Sequence, residues 1–287
     1  MKSRWLYLIL CFLAASPGVE GQGYTSPSGK LFIIGGGDRP PSLMKSLVAT
    51  AGLQPGDYAV VLPMSSESPD TSFVYFKADL ESVWPHSIVN FNFTPAKIHD
   101  KSWLDSLAHA KLVFITGGDQ DRFMSAVLNT PVYNAIHDAF RNGATIAGTS
   151  AGAAAMSKYM ITGNSLLDTA YRATFSRLRK DNLEIKEGLA LLDKVIIDQH
   201  FIVRSRYNRL LSAIAKYPSF LCIGIDEETA IIVQGNRISV AGSGQVVVLQ
   251  HPVDLKVTGK GLIKMKDIRF SVYTEGDVVE VRAGNRK

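Results

Sequence analysis

The sequence predicts an α/β protein with a mostly parallel central sheet, helices on both faces, and an antiparallel β-rich C-terminal extension. Between residues 31 and 225, short apolar runs alternate with amphipathic helical windows, which is the pattern of a parallel sheet covered on both faces. From Thr229 the runs are short and joined by Gly and Asn turns, which predicts antiparallel strands that extend or cap that sheet. No repeat or linker divides residues 22–287, so we expect one domain, with the extension beginning at about residue 237.

Each element has its own local signal. Apolar runs rich in β-branched residues predict strands at 31–34, 58–63, 87–93, 112–116, 145–147, 194–197 and 221–225. Amphipathic windows predict helices at 41–53, 71–83, 100–110, 120–128, 131–141 and 205–217, and Asp100 is the expected cap of the third. Residues 162–187 are polar and mixed, which predicts a long loop with some helix. The extension is expected to contain strands at 230–233, 237–240 and 245–249 and a terminal hairpin of 268–273 with 278–282.

The first 21 residues have the pattern of a secretory signal peptide. Two basic residues precede an apolar run from Trp5 to Ala15, and small residues follow it. This run is too short to serve as a membrane anchor. Cleavage after Gly18 or Gly21 fits the preference for small residues. We therefore expect export to the periplasm or the extracellular space, with no membrane attachment after cleavage.

Composition narrows the possible partners. The chain has 287 residues, of which 46% are hydrophobic and 20% charged, a globular composition. Its net charge of +5 includes no long Lys/Arg block, which argues against a nucleic-acid partner. Of the two cysteines, Cys11 would leave with the signal peptide, and Cys222 lies in an apolar run. We therefore expect a buried, inert Cys222 thiol and a protein that relies on its core rather than on disulfides.

The strongest chemical signal is the turn from Gly148 to Gly152, with Ser150 at its apex. An apolar run precedes the turn and a small-residue, helix-favouring run follows it, which predicts strand, sharp turn and helix. Glycines on either side allow close backbone approach, and the helix directs free N–H groups at whatever Ser150 attacks. Because a Gly-x-Ser-x-Gly string also arises by chance in flexible loops, the nucleophile interpretation depends on the flanking strand and helix.

Other reactive side chains follow predicted strands, and ligands of open α/β sheets bind at the carboxyl ends of strands. Asp119 follows one strand, His200 another, and residues 226–228 a third. Of the six histidines only His200 follows a buried strand, so it is the candidate base. Serine, imidazole and carboxylate are the parts of an acyl-transfer triad, but the residues alone do not separate Glu227 from Glu228. A metal site is disfavoured, since no further cluster supplies ligands at useful spacing.

Three arginines, Arg204, Arg206 and Arg209, follow His200 closely. As one helix face they could simply be solvated. Their nearness to His200 suggests instead a guanidinium cluster facing the site, and arginine binds carboxylates through a fork of donors. This arrangement favours an acidic or carboxylate-bearing substrate.

Four motifs occur in order between about residues 30 and 235. They are Gly-Gly-Asp-Gln at 117–120, Gly-Thr-Ser-Ala-Gly-Ala at 148–153, Asp-Gln-His-Phe at 198–201 with the three arginines and Leu210, and Gly-Ile-Asp-Glu at 224–227. Together they resemble cyanophycinases, serine peptidases related to aspartyl dipeptidases with a class I glutamine-amidotransferase-like fold. The Arg-x-Arg-x-x-Arg segment favours the cyanophycinase branch. The resemblance covers neither residues 162–187 nor the tail after about residue 240.

The resemblance implies a role for each matching residue. Ser150 would attack the peptide carbonyl, His200 would take its proton, and Glu227 would orient His200. The oxyanion would be held by backbone N–H groups of Gly118, Asp119 and Ala151. The pocket for the β-aspartyl-arginine unit would be lined by Gln120, Gln199, Arg204, Arg206 and Arg209. The reaction would be hydrolysis of the polyaspartate backbone of cyanophycin to β-Asp-Arg dipeptides, without a cofactor, in a homodimer.

Two other functions stay open. Export departs from the storage-mobilising role of intracellular relatives, so a secreted peptidase acting on short aspartyl peptides is one alternative. An inactive binding protein on the same fold is the other. A cysteine amidotransferase is set aside, because position 150 is serine.

Overall fold

The computed structural model of the chain describes residues 29–167 and 176–279. The expected signal peptide lies outside these residues. The helices are α1 Pro41–Ala51, α2 Pro69–Glu81, α3 Lys101–Ala108, α4 Gln120–Val127, α5 Pro131–Arg141, α6 Ala151–Ala154 and α7 Tyr207–Lys216. The strands are β1 Lys30–Ile34, β2 Tyr58–Leu62, β3 Ser87–Asn90, β4 Leu112–Ile115, β5 Thr145–Thr149, β6 Tyr159–Ser165, β7 Leu183–Glu187, β8 Val195–Gln199, β9 Leu221–Ile225, β10 Thr229–Gln234, β11 Arg237–Gly242, β12 Val246–Gln250, β13 Val253–Val257, β14 Ile263–Lys266 and β15 Arg269–Tyr273.

The main sheet has seven strands in the order β11-β10-β1-β5-β4-β2-β3. The five strands from β1 to β3 in this order are parallel, and β10 and β11 add antiparallel to β1. Side chains of β1 alternate between two cores: Phe32 packs with α1 and α2, and Leu31 packs with α3, α4 and α5. The prediction of a mostly parallel sheet with helices on both faces is confirmed.

A second sheet carries the rest of the β structure, in the order β15-β12-β9-β8. Here β8 and β9 are parallel, and β12 and β15 are antiparallel. The sequence predicted that the runs at β8 and β9 belong to one central sheet, and this was wrong. An apolar run indicates a strand but not its partner. The predicted extension is likewise divided, because β10 and β11 lengthen the main sheet while β12 and β15 complete the second.

Helix α7 covers one face of the second sheet and shares a core with Leu249, Phe201 and Cys222. Cys222 is fully buried and is a free cysteine, as expected from its apolar run. Burial raises the pKa of its thiol far above the ordinary value, so the reactive thiolate is suppressed.

Two local predictions were wrong. Within residues 162–187, the described part forms strands β6 and β7, which pair antiparallel, while residues 168–175 lie outside the described part. The polar residues of β6 interrupt the apolar pattern that indicates a strand, and the strand forms by hydrogen bonding to β7. In the tail, Val278 bridges Ser239 of β11 instead of pairing with β15, and residues 280–282 lie outside the described part. Strands β13 and β14, which pair with each other, were not predicted, because their side chains are mostly exposed.

The helix boundaries follow local chemistry. Asp100 caps α3 by accepting a hydrogen bond from the Trp103 amide at 3.2 Å, as predicted. Proline occupies the start of α1, α2 and α5, where its missing N–H has no cost. Within residues 29–167 and 176–279, no helix is both long and apolar enough to cross a bilayer.

Candidate active site

Ser150 lies in a sharp turn between β5 and α6. Its φ of 53° is in the left-handed region, which is strained for a residue with a side chain. Its amide donates to the Ile34 carbonyl at 3.0 Å, which ties the turn to the end of β1. The turn leaves no space at its two glycines. A Cβ at Gly148 would lie 2.7 Å from the carbonyl carbon of Gly152, and one at Gly152 would lie 2.4 Å from the Ile115 carbonyl oxygen.

His200 follows β8 and faces Ser150 across the junction of the two sheets. It too has a left-handed φ, 47°, and its amide donates to the Gly35 carbonyl at 2.7 Å. Its Nε2 lies 2.9 Å from the Ser150 Oγ. The imidazole rests against Gly36, where a Cβ would lie 2.3 Å from Cε1. The glycine run after β1 is therefore needed for close approach of the two sheets.

Glu227 follows β9 and completes the hydrogen-bonded series. Its Oε1 lies 2.5 Å from Nδ1 of His200. The neighbouring Glu228 has a φ of 53° and accepts a hydrogen bond from Ser243 Oγ at 3.0 Å. The structure thus places Glu227, and not Glu228, against the imidazole, a choice that the residues alone left open.

The environment of His200 favours its neutral form. Burial is the main cause that lowers the pKa of its imidazole. The hydrogen bond to Glu227 opposes this shift, whereas the positive charges of Arg204 and Arg206 add to it. The net effect is a lowered pKa of His200, so the imidazole stays neutral and able to accept a proton at lower pH than an ordinary histidine does.

The three backbone amides expected around the oxyanion are not equivalent. The Asp119 amide donates to the Ser65 carbonyl at 2.8 Å, and the Asp119 side chain caps α4 by accepting from the Asp121 and Arg122 amides. This corrects the expectation that the Asp119 N–H is free to bind an oxyanion. The amides of Gly118 and Ala151 have no hydrogen-bond acceptor among the described residues.

A cavity of about 250 Å³ opens beside Ser150 and His200 on the α2 side of the main sheet. It is lined by Gly36, Gly37, Arg39, Ser72, Tyr75, Phe76, Phe114, Thr116, Gly117, Thr149, Ser150 and His200. Sequence reasoning missed Arg39, Ser72 and Tyr75. The signal for Arg39 was present, because it follows the carboxyl end of β1 in the same way as the residues selected after other strands.

None of the five side chains expected to bind substrate lines this cavity. Gln120 is buried and donates to the carbonyls of Ile161 and Thr162 in β6, at 2.7 and 2.6 Å. Gln199 is also buried, and its Oε1 accepts a hydrogen bond from Arg206 at 2.8 Å. Both amides are therefore engaged inside the protein.

The arginines divide into one exposed and two buried side chains. Arg204 is exposed. Arg206 and Arg209 are buried and share Asp198, with nitrogen–oxygen distances of 3.6 and 2.9 Å. A buried carboxylate requires positive partners, and Arg206 and Arg209 supply them to Asp198. This corrects the expectation that all three arginines face the site. One oxygen of Asp198, Oδ2, has no hydrogen-bond partner among the residues that the structure describes.

No group of three or more His, Cys, Asp or Glu side chains suited to a metal ion occurs in the described part of the chain.

Comparison with known proteins places this site in context. The sequence model of peptidase family S51 matches residues 63–241, more than half of the chain and the part that contains Ser150, His200 and Glu227. The chain is 37% identical over 179 residues to a cyanophycinase of Trichormus variabilis, covering 60% of this chain and 57% of that protein. It is 34% identical over 185 residues to a cyanophycinase of Geminocystis herdmanii, covering 62% and 65%. The matched region thus spans less than two thirds of each relative.

Solved structures are similar in fold. A peptidase from an acI-B1 Actinobacterium superposes with a TM-score of 0.63 at 19% identity, covering 88% of this chain and 97% of that one. A protein from Listeria monocytogenes EGD-e, described as a candidate peptidase E, gives 0.52 at 16% identity, covering 75% and 99%.

Proposed function

The chain belongs to peptidase family S51, and we propose that it is a serine-type exopeptidase with Ser150, His200 and Glu227 as its catalytic triad. The observation that carries this proposal is the continuous contact from Ser150 Oγ to His200 Nε2, 2.9 Å, and from His200 Nδ1 to Glu227, 2.5 Å. Nucleophile, base and orienting carboxylate are then in hydrogen-bond reach of one another, as acyl transfer by serine requires.

The proposed reaction has two steps. Ser150 Oγ attacks the scissile carbonyl carbon while its proton passes to His200 Nε2. The C–N bond breaks as that proton passes to the leaving amine, which leaves an ester on Ser150. Water then attacks the ester, again giving a proton to His200, which returns it to Ser150 as the carboxylate product leaves. The amides of Gly118 and Ala151 are the proposed oxyanion donors, each contributing about 3 kcal/mol of barrier reduction.

We propose a cyanophycin-type substrate, cut in its polyaspartate backbone to release β-Asp-Arg dipeptides. Its support is the name of the relatives, cyanophycinase, together with the positive side chains near His200. Arg204 is exposed in this region, and its positive charge acts on the His200 imidazole. A substrate whose units carry free carboxylates fits this exposed guanidinium.

The test is dipeptide release from insoluble cyanophycin by residues 22–287, with Ser150→Ala alongside. Release of β-Asp-Arg by the wild type and not by the variant is the expected result. If the folded wild type cleaves short aspartyl peptides but not cyanophycin, these peptides replace cyanophycin as the proposed substrate. Absence of activity on both, with no labelling of Ser150 by a serine-directed reagent, would indicate an inactive binding protein. Equal release by wild type and variant would overturn the triad.

Further proposals concern the whole chain. We propose export after removal of residues 1–21, a single peptidase domain over 22–287 with a glutamine-amidotransferase-like core, and a homodimer. N-terminal sequencing of the exported protein tests the first. Limited proteolysis followed by mass spectrometry tests the second, and sedimentation of purified protein tests the third.

A further inference from the structure

Arg39 is a cavity-lining cation close to Ser150 that the proposed mechanism does not use. It follows the glycine run after β1 and borders the same cavity as Ser150 and His200. Its side chain is only 18% exposed, so its guanidinium is largely withdrawn from bulk water. A cation held at such a position is fixed before a ligand arrives, which lowers the ordering cost of binding.

Helix α2 holds this guanidinium in place. Ser72, Phe76 and Asp79 are spaced by four and three residues, so they lie on one face of α2. Phe76 is buried and stacks on Phe114 of the main sheet, which fixes that face toward the cavity. Asp79 Oδ2 accepts a hydrogen bond from Nε of Arg39 at 2.7 Å and lies 2.6 Å from Nη2 in an ion pair.

These contacts leave one end of the guanidinium unused. Nη1 of Arg39 has no hydrogen-bond acceptor in residues 29–167 and 176–279, and it is not among the buried nitrogens that lack a partner. A terminal nitrogen that is reachable from solvent, on a side chain clamped by a carboxylate, presents two directed donors. A carboxylate is the ligand that such donors bind best.

We propose that Arg39 binds a carboxylate of the substrate residue that lies on the α2 side of the scissile bond, an inference that rests on the proposed function. In a β-Asp-Arg polymer, every backbone residue carries an arginine with a free carboxylate, so both sides of the cleaved bond offer one. The exposed Arg204 belongs to the β8–α7 side, and Arg39 belongs to the α2 side. The enzyme would then recognise the charged branch on each side of the bond that Ser150 attacks.

The experiment compares two forms of the shortest substrate with one backbone bond, the dimer of β-Asp-Arg. One form has free arginine carboxylates, and in the other both are converted to carboxamides. Because Asp79 already neutralises much of the charge of Arg39, we expect Arg39→Gln to lower kcat/KM about 10-fold on the free-carboxylate form. On the carboxamide form, the variant and the wild type should differ by less than about twofold.

Lys77→Gln is the matched control, because it removes a cation from the same helix without touching the cavity. Its kcat/KM should equal that of the wild type on both forms. Arg39→Lys, which keeps the charge without the fork, is the second variant if Arg39→Gln does not fold. Its loss should again be confined to the free-carboxylate form.

Equal losses by the Arg39 variants on both forms would overturn the inference and leave Arg39 as a tether of α2. No loss on either form would also overturn it. Both results leave the proposed function standing, provided that the wild type cleaves the dimer. A folded wild type that cleaves neither the dimer nor cyanophycin would overturn the proposed substrate, and the assignment of Arg39 with it.

Discussion

The proposed catalytic cluster of Ser150, His200 and Glu227 differs sharply from the arginine cluster of Asp198, Arg206 and Arg209, although each contains a residue from the end of β8 or just after it. His200 borders an open cavity and contacts Ser150. Asp198, two residues earlier, is fully buried and pairs with two guanidinium groups. Nearness in sequence to a strand end therefore places residues in one neighbourhood without deciding which of them reach the substrate.

The difference follows from backbone geometry. Side chains alternate along β8, so Asp198 lies on the same face as Ile196, which packs in the core under α7. His200 lies beyond the strand with a left-handed φ, and its amide is bound to the end of β1. The chain thus turns from the second sheet toward the main sheet between these two residues. We expect changes in the catalytic cluster to affect activity and changes in the arginine cluster to affect stability.

The largest expected effect is that of Ser150→Ala. Removing the nucleophile should lower kcat by at least about 10⁴-fold, whereas the small change in side-chain volume should leave thermal unfolding unchanged. Dipeptide release and calorimetry on the same preparation measure the two quantities. A large fall in Tm together with the loss of activity would show that Ser150 also stabilises the fold, contrary to the difference expected between the two clusters.

The second-largest effect is expected for Glu227→Gln. A neutral amide orients the imidazole poorly and does not stabilise its charged form, so kcat should fall about 10³-fold. Glu228→Gln is the matched control, because Glu228 contacts Ser243 and not His200. We expect near-normal turnover for this control in steady-state kinetics. If the control lost as much as Glu227→Gln, the assignment of the triad carboxylate would be wrong.

Asp198→Asn tests the other cluster. It would remove the buried carboxylate that Arg206 and Arg209 share, so the free energy of unfolding should fall by about 3–5 kcal/mol. Asp121→Asn is the control, since Asp121 forms a largely exposed pair with Lys186 and should cost less than about 1 kcal/mol. Denaturant titration measures both. Equal stability of the two variants would show that the arginine cluster does not hold the fold together, and would favour a purely substrate-binding role.

The smallest expected effect concerns the pH profile. Because burial lowers the pKa of His200, the acid limb of kcat/KM should lie below the ordinary histidine value of 6.5. Arg204 contributes to this lowering, so Arg204→Gln should raise the pKa and move the limb to higher pH. The imidazole would then become protonated, and unable to act as a base, at a higher pH than in the wild type. A limb that stays in place or moves to lower pH would contradict the electrostatic account.

By itself, the sequence determined the order of strands and helices from residue 30 to 154 and from 195 to 225, the sharp turn at Ser150 and the burial of Cys222. These features have local causes: apolar periodicity, proline and aspartate at helix starts, and glycines where a Cβ would collide with backbone. His200 was also identifiable, because its place after a buried strand is visible in the sequence. The resemblance to a family added the choice of Glu227.

Only the tertiary structure decided how the strands are divided between two sheets, which of the expected pocket residues are buried, and where the arginines point. Each of these depends on contacts between residues far apart in the chain, such as Gly35 with His200 and Gln120 with β6. Strand pairing and burial are settled by packing, whereas local patterns record only which residues favour a strand or a helix. For the same reason Arg39 emerged as a candidate only when α2 was seen to hold it beside Ser150.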